Sequence, residues 1–205
     1  MKVVVIGATG IIGAAVADAL AARHEVVRAS RKSATRVDVE DPASLERLFA
    51  EVNAIDAVVS CATGTPERWQ GMFGPIEQLD DTHMKIIFDA LSSQLHLLRL
   101  CRKHVRDGGS LTLTTGALAR HPLPGTAAIT MMAAGLEGLI PAAALDMPRG
   151  VRINAVSPGW VKETMAKMGL DSSPGMPAAT LAGFYLAAVE GTMNGAVIDP
   201  TAAAP

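Results

Sequence analysis

The run Val3-Val4-Val5-Ile6, followed directly by Gly7-Ala8-Thr9-Gly10-Ile11-Ile12-Gly13 and an alanine-rich stretch, constrains this chain more than any other feature. Consecutive β-branched residues suit a strand buried on both faces, and Ala14 to Ala22 is a strong helix former. Glycine between them permits a tight turn and a close backbone approach. A helix opening near Gly10 would aim its unpaired N–H groups and positive dipole end at an anion. A second strand from Glu25 to Ala29 completes a βαβ unit. The glycines are spaced three and three, where the dinucleotide fingerprint has two and three. The turn therefore reads either as a nucleotide-binding unit or as an ordinary strand–helix turn. On the first reading its ligand-facing residues are Gly7, Thr9, Gly10, Ile11, Ile12 and Gly13.

Bulk properties fit one α/β domain over residues 1–205. The length allows a substantial core and is short for two domains. A formal charge of −2 argues against nucleic-acid or membrane-surface binding. No apolar run reads as long and uninterrupted enough to cross a bilayer, and Met1-Lys2 leads straight into a strand, not a signal peptide. Cys61 and Cys101 lack metal or redox spacing, so a reducing cytoplasm is the expected compartment.

Candidate strands are Lys2 to Ile6, Glu25 to Ala29, Arg36 to Asp38, Ala57 to Ser60, Ser110 to Thr114, Val151 to Val156 and Ala196 to Asp199. Helices fit between them. Asp41 before Pro42 reads as an N-cap opening a helix towards Glu51. Another is expected from Thr82 to Arg106, ended by Asp107-Gly108-Gly109, then Ala127 to Leu145 and Ala178 to Glu190. This alternation implies a doubly wound parallel sheet of about seven strands with helices on both faces, a Rossmann-type α/β fold. The tail after Asp199 reads as loose.

The end of the second strand bears on which nucleotide would bind. Selectivity for an unphosphorylated ribose usually places a carboxylate about 20 residues beyond the glycines. The chain has Arg28-Ala29-Ser30-Arg31-Lys32 there. A guanidinium can grip a 2′-phosphate in a forked, charge-assisted contact. Arg31 thus favours NADP(H) over NAD(H), with Ser30 and Lys32 as helpers; a solvated basic turn is the plain alternative.

Together these residues resemble the short-chain dehydrogenase/reductase family over essentially the whole chain. Gly7, Gly10 and Gly13 match its glycine pattern. Asp38, before Val39 and Asp41, resembles the acidic turn that contacts adenine. Asp56 to Ala62 resembles the fourth strand, with Ser60 and Cys61 where the family has two asparagines; Cys61 and Ala62 would line the cofactor. Val151-Arg152-Ile153-Asn154-Ala155-Val156-Ser157-Pro158-Gly159 is the most specific match, and in the family Pro158 and Gly159 would line the nicotinamide. Gly195 to Asp199 resembles the seventh strand.

The resemblance fails at the catalytic residues. The family reduces carbonyls with a Tyr acid, a Lys four residues later, a Ser and a supporting Asn. The lone tyrosine here, Tyr185, has Val189 four residues on. The family's pattern instead puts Ile129 at the Tyr position, Ala133 at the Lys position, Gly116 at the Ser position and His96 at or near the Asn position. General acid or base catalysis contributes about 10²- to 10⁴-fold, and isoleucine and alanine transfer no proton. The combination resembles a small subgroup that keeps the glycine loop and lacks the usual active-site residues.

Thr115 could offer a hydroxyl to a substrate oxygen, or simply close a strand end. His121 could donate a proton near neutral pH, or be solvated. The remaining histidines are spread without ligand spacing, so no metal is expected. The segment from Ile129 to Leu145 is apolar nearly all round and needs burial on several sides. The resemblance makes it part of a homodimer or homotetramer interface; a helix buried within the chain is the other reading. Trp160 to Pro177 would form a short substrate lid, with Thr164 one residue beyond the expected nicotinamide-amide threonine. Two functions follow. One is an NADP(H)-dependent oxidoreductase with an atypical active site acting on an unknown small molecule, such as an activated alkene or an iminium-like group, and needing little help from a protein acid. The other is an inactive NADP(H)-binding sensor or partner subunit.

Overall fold

The computed structural model describes residues 1–62 and 71–202. Seven strands form one parallel sheet: β1 (Lys2–Ile6), β2 (Glu25–Ser30), β3 (Thr35–Arg36), β4 (Ile55–Ser60), β5 (Val105–Thr114), β6 (Arg152–Val156) and β7 (Val197–Ile198). Their order is β3-β2-β1-β4-β5-β6-β7, so the direction of winding reverses between β1 and β4. Ligands bind at such a reversal, outside the carboxyl ends of the strands.

Helices α1 (Ile11–Ala21), α2 (Pro42–Glu51), α3 (Asp81–His104), α4 (Ala127–Asp146), α5 (Lys162–Lys167) and α6 (Ala178–Glu190) accompany the strands. The two-residue period of the strands sorts the core. Val4, Ile6, Val58, Leu111 and Ile153 belong to the cluster with α2, α3 and α4 residues. Val3, Val5, Val59, Val156 and Leu181 belong to the other, with α1 and α6. Both faces of the central strands are therefore dry, which is why β1 and β4 carry almost only apolar residues.

Several expected boundaries move. β3 is Thr35–Arg36, because Thr35 and Arg36 pair with Ala29 and Ser30 and the chain then leaves the sheet. α3 stops at His104 and not at Arg106. Val105 already pairs with Ile55, and the next pair is Ser110 with Ala57, so Arg106 to Gly109 bulge opposite Asp56. Asp107-Gly108-Gly109 is thus a bulge in β5, not a helix terminator. Gly108 has φ +72°, and a Cβ on Gly109 would lie 2.3 Å from the Asp56 carbonyl oxygen. The start of the tail is also held. Pro200 is buried, and the Thr201 amide and hydroxyl both donate to Asp199; residues 203–205 lie outside the described residues.

One expectation about apolar runs needs correcting. By length and composition α4 could cross a membrane, with a mean hydropathy of 1.6, because its single charged position before Asp146 is Glu137. In the structure it packs against α3 and β6 and contains Pro141. Its outward positions Met131, Ala134, Gly138 and Leu145 are exposed.

The tightest contact in the fold joins α1 to the end of β1. A Cβ on Gly13 would sit 2.2 Å from the Gly7 carbonyl oxygen, and Gly7 itself has φ +82°. Gly13→Ala is expected to lower stability by about 1–3 kcal/mol through overpacking, seen as a lower urea midpoint at unchanged slope; a midpoint equal to the parent's would contradict this.

Candidate cofactor and catalytic site

The glycine turn is organised by its own backbone. The Gly7 and Ala8 amides donate to the Ala29 carbonyl at 2.8 and 3.2 Å, and the Gly10 amide donates to the Gly7 carbonyl at 2.9 Å. Gly10 is the N-cap of α1, with no side-chain cap and no acidic residue in the first turn. The amides of Ile11, Ile12 and Gly13 therefore lie in the uncapped first turn of an apolar helix, beside exposed Thr9 and Gly10. A positive helix end without a resident carboxylate suits an anion brought from solution.

Across β1, the Cys61 amide donates to the Ile6 carbonyl at 2.9 Å, which brings Cys61 and Ala62 against Gly7. The Cys61 thiol is pushed up to about 12, chiefly by burial, so it is neutral and unreactive near pH 7. At the end of β2, Ser30 differs from its expected helper role. Its hydroxyl accepts from the Lys32 and Ser33 amides at 3.1 and 3.0 Å and closes the β2–β3 turn. Arg31, at the apex of that turn, is exposed and makes no ion pair among the described residues. Asp38 is half-buried and accepts from the Glu40 amide at 3.1 Å.

The polar residue that α3 sends towards the end of β4 is Gln94, two positions before His96. Gln94 is buried and donates to the Ala62 carbonyl at 3.2 Å. His96 faces α2, with Nε2 3.9 Å from Glu46. Tyr185 is fully buried, its hydroxyl 2.8 Å from that of Thr114, and burial foremost raises its pKa well above the usual value. It is a core residue with no access to a ligand.

Beyond β5 and β6 the chain is stitched together. The Thr115 amide donates to the Val156 carbonyl and the Ala117 amide to the Pro158 carbonyl, both at 2.9 Å. This puts Gly116 beside Pro158 and Gly159 on the wall of a cavity of about 770 Å³. Ile129 and His121 line the same cavity. Ala133 does not; it is buried and borders a separate void of about 30 Å³ with Thr115 and Gln94. Thr164 lies on α5, half-buried, outside the residues lining the large cavity. The lid is more ordered than its sequence suggests. Val161 bridges Met176, and Glu163 accepts from the Ala178 amide at 2.9 Å, capping α6 from outside it.

Thr115 turns away from the large cavity. Its hydroxyl donates to Glu137 Oε1 at 3.0 Å, so its one proton is committed to a carboxylate. Ser157 donates to the same oxygen at 2.6 Å. Arg120 bridges Glu137 Oε2 and Asp199 Oδ2, the latter at 2.8 Å. The side chains of Glu137, Arg120 and Asp199 are 12%, 32% and 16% exposed. One charge network thus ties together the ends of β5, β6 and β7. Glu137 was missed in the sequence, although it is the lone charge between Ala127 and Leu145. Among the described residues no cluster of potential ligands could hold a metal.

A family model described as enoyl-(acyl carrier protein) reductase matches residues 6–184. Glucose and ribitol dehydrogenase homolog 2 of Arabidopsis thaliana is 27% identical over 119 residues, a match covering 57% of this chain and 39% of that relative's length. Among solved structures, the protein lin1944 from Listeria innocua is 30% identical with a TM-score of 0.84, over 98% of this chain and 99% of that one. A small-chain dehydrogenase in complex with NADPH is 25% identical with a TM-score of 0.81, over 97% of this chain and 95% of that one. The chain belongs to the short-chain dehydrogenase/reductase family.

The network has a pH signature. Burial would raise the Asp199 carboxyl, but bonds from Thr201 and Arg120 overcome this and hold it at about 2, below its ordinary 3.8. Its stabilisation is fully present above the ordinary value and is lost as pH falls from about 4 towards 2. Asp199→Asn should flatten the fall in thermal midpoint over that window; an unaltered acid limb would show that Asp199 contributes nothing there.

Proposed function

We propose that this chain binds NADP(H) along the carboxyl edge of the sheet and transfers a hydride between it and a small molecule. The observation that carries this is the uncapped, acid-free first turn of α1 at the winding reversal, with exposed Arg31 just past β2 making no ion pair among the described residues. The turn would take the pyrophosphate and Arg31 the 2′-phosphate. The NADPH complex of a relative with the same fold supports the choice of nucleotide. Asp38, Cys61 and Ala62 would flank the adenine and ribose side. Pro158 and Gly159 would back the nicotinamide, which supplies the hydride when bound.

The residues around the reacting end organise position more than proton transfer. Ile129 and Gly116 occupy the wall where the family pattern has an acid and a serine, and His121 is the one titratable side chain among the described residues lining the cavity. Acceptors that need little protein acid fit that wall, and of the two kinds considered the neutral activated alkene suits its apolar lining better than a cationic iminium-like group. The same apolar wall favours a second reading, a member of the atypical subgroup that senses NADP(H) or serves a catalytic partner. Consumption of NADPH with any compound class eliminates the purely sensing role.

NADPH should bind more tightly than NADH by about 10- to 100-fold, the worth of a charged hydrogen bond to phosphate. Arg31→Ala should remove most of that gap in a calorimetric titration, and equal affinities in the parent would defeat the assignment.

We also propose a homodimer or homotetramer built on α4, because its exposed stripe carries no charge from Met131 to Leu145 apart from inward Glu137. A Cβ at Gly138 meets nothing within 4 Å in the single chain. Gly138→Arg should therefore leave folding intact and yield monomers in sedimentation; an unchanged parent-size species would place the interface elsewhere.

A further inference from the structure

Resting on the reading of the 770 Å³ cavity as the substrate pocket, we infer that the substrate is an uncharged, predominantly hydrocarbon molecule, and that polyols and anionic compounds are excluded. The cavity lies within the roughly 300–1,000 Å³ range of pockets that enclose a drug-sized ligand. Its walls are apolar or glycine-rich backbone. Leu118, Ile129, Val161, Met176 and Leu181 line it, and its mouth is marked by Phe73, Leu123 and Trp160, each about half exposed. Large apolar side chains left in water around one opening mark a surface meant to be covered.

The polar inventory is equally informative. Among the described residues, the polar side chains lining this cavity are His121, Thr180 and Thr201, with the indole N–H of Trp160 as one further donor. The Thr201 hydroxyl donates to Asp199 at 2.6 Å, so its proton is already used. The nearest strong cation of the charge network, Arg120, is spent on two carboxylates. A bound carboxylate or phosphate would therefore lose its water with no cation among the described lining residues to receive it. A polyol would leave several hydroxyls unpaired, and buried groups without partners are heavily disfavoured. The likeness to a glucose and ribitol dehydrogenase homolog thus does not extend to the chemistry of this wall. A single carbonyl or imine acceptor, by contrast, can be met by His121.

The test uses three probes in equilibrium dialysis against the full chain, with and without saturating NADPH. They are benzalacetone (a neutral aryl enone), trans-cinnamate (which has a carboxylate in place of the acetyl group) and ribitol. Benzalacetone should bind at least about tenfold more tightly than cinnamate, and ribitol should show no retention. Thr180, exposed at the start of α6, lines the cavity without entering the core. Thr180→Lys should shift the preference towards cinnamate by supplying the missing cation. Equal retention of cinnamate or ribitol, no retention of benzalacetone, or a Thr180→Lys protein with the parent's preference would each overturn the inference. A chain that selects the neutral probe yet binds no nucleotide would instead refute the cofactor proposal alone.

Discussion

Everything at the ligand edge of this protein depends on the absence of two side chains, at Gly7 and Gly13. With 2.2 Å between the Gly7 oxygen and the place where a Gly13 Cβ would be, α1 lies as close to the end of β1 as peptide atoms allow. That proximity fixes where the helix begins relative to the sheet. Gly7 turns with a positive φ, and a Cβ there would lie 2.9 Å from the carbonyl carbon of Cys61, just past β4. Two strands and a helix therefore converge at the one place in the sheet where the winding reverses. The proposed anion site would be a consequence of packing: the amides are unpaired because a helix starts there, and glycine allows it to start so close.

A second constraint operates on the opposite half of the edge, where Glu137 is the organising charge. An isolated carboxylate in an apolar helix would be costly, and here every oxygen is occupied. The arrangement gives the ends of β5, β6 and β7 a shared anchor through Thr115, Ser157 and, by way of Arg120, Asp199. It also removes Thr115 from direct chemistry, since an ionised carboxylate only accepts and the threonine has one proton to give. The network thus serves to hold the cavity wall in place.

The fold was legible because its signals are local and periodic. Val3 to Ile6, the Asp41-Pro42 cap and the apolar stretch of α6 each fix an element without reference to the rest of the chain. Boundaries failed where tertiary pairing overrode local propensity. Val105 joins β5 because Ile55 lies opposite, and Asp107-Gly108-Gly109 looks like a helix stop until Asp56 is seen across the bulge. At the site, the glycine turn and the Pro158-Gly159 turn were readable from residue type. The placement of Gln94 instead of His96 was not, since two residues on a helix differ by more than half a turn and only packing decides which faces the sheet. Glu137 was visible as a lone charge in an apolar helix, but its partners are 17 to 22 positions away, beyond any local pattern.

On the proposed reading, the apolar wall and the missing acid are two expressions of one arrangement. Ile129 lines the large cavity and Ala133 borders the separate small void, so the positions that the family resemblance pairs with a tyrosine and a lysine carry apolar side chains. Restoring either group singly would not rebuild the function, because a phenol without a neighbouring cation keeps a pKa near 10 and gives little of the roughly 10²- to 10⁴-fold that proton transfer contributes. On the proposed reading, hydride transfer beside this apolar wall would rely on orientation, which favours acceptors whose developing charge is spread through conjugation over those that concentrate it on one oxygen. On that reading the chemistry and the substrate preference follow from the same side chains: a wall without a tyrosine–lysine pair to protonate an alkoxide is also one whose described side chains offer no cation to a carboxylate.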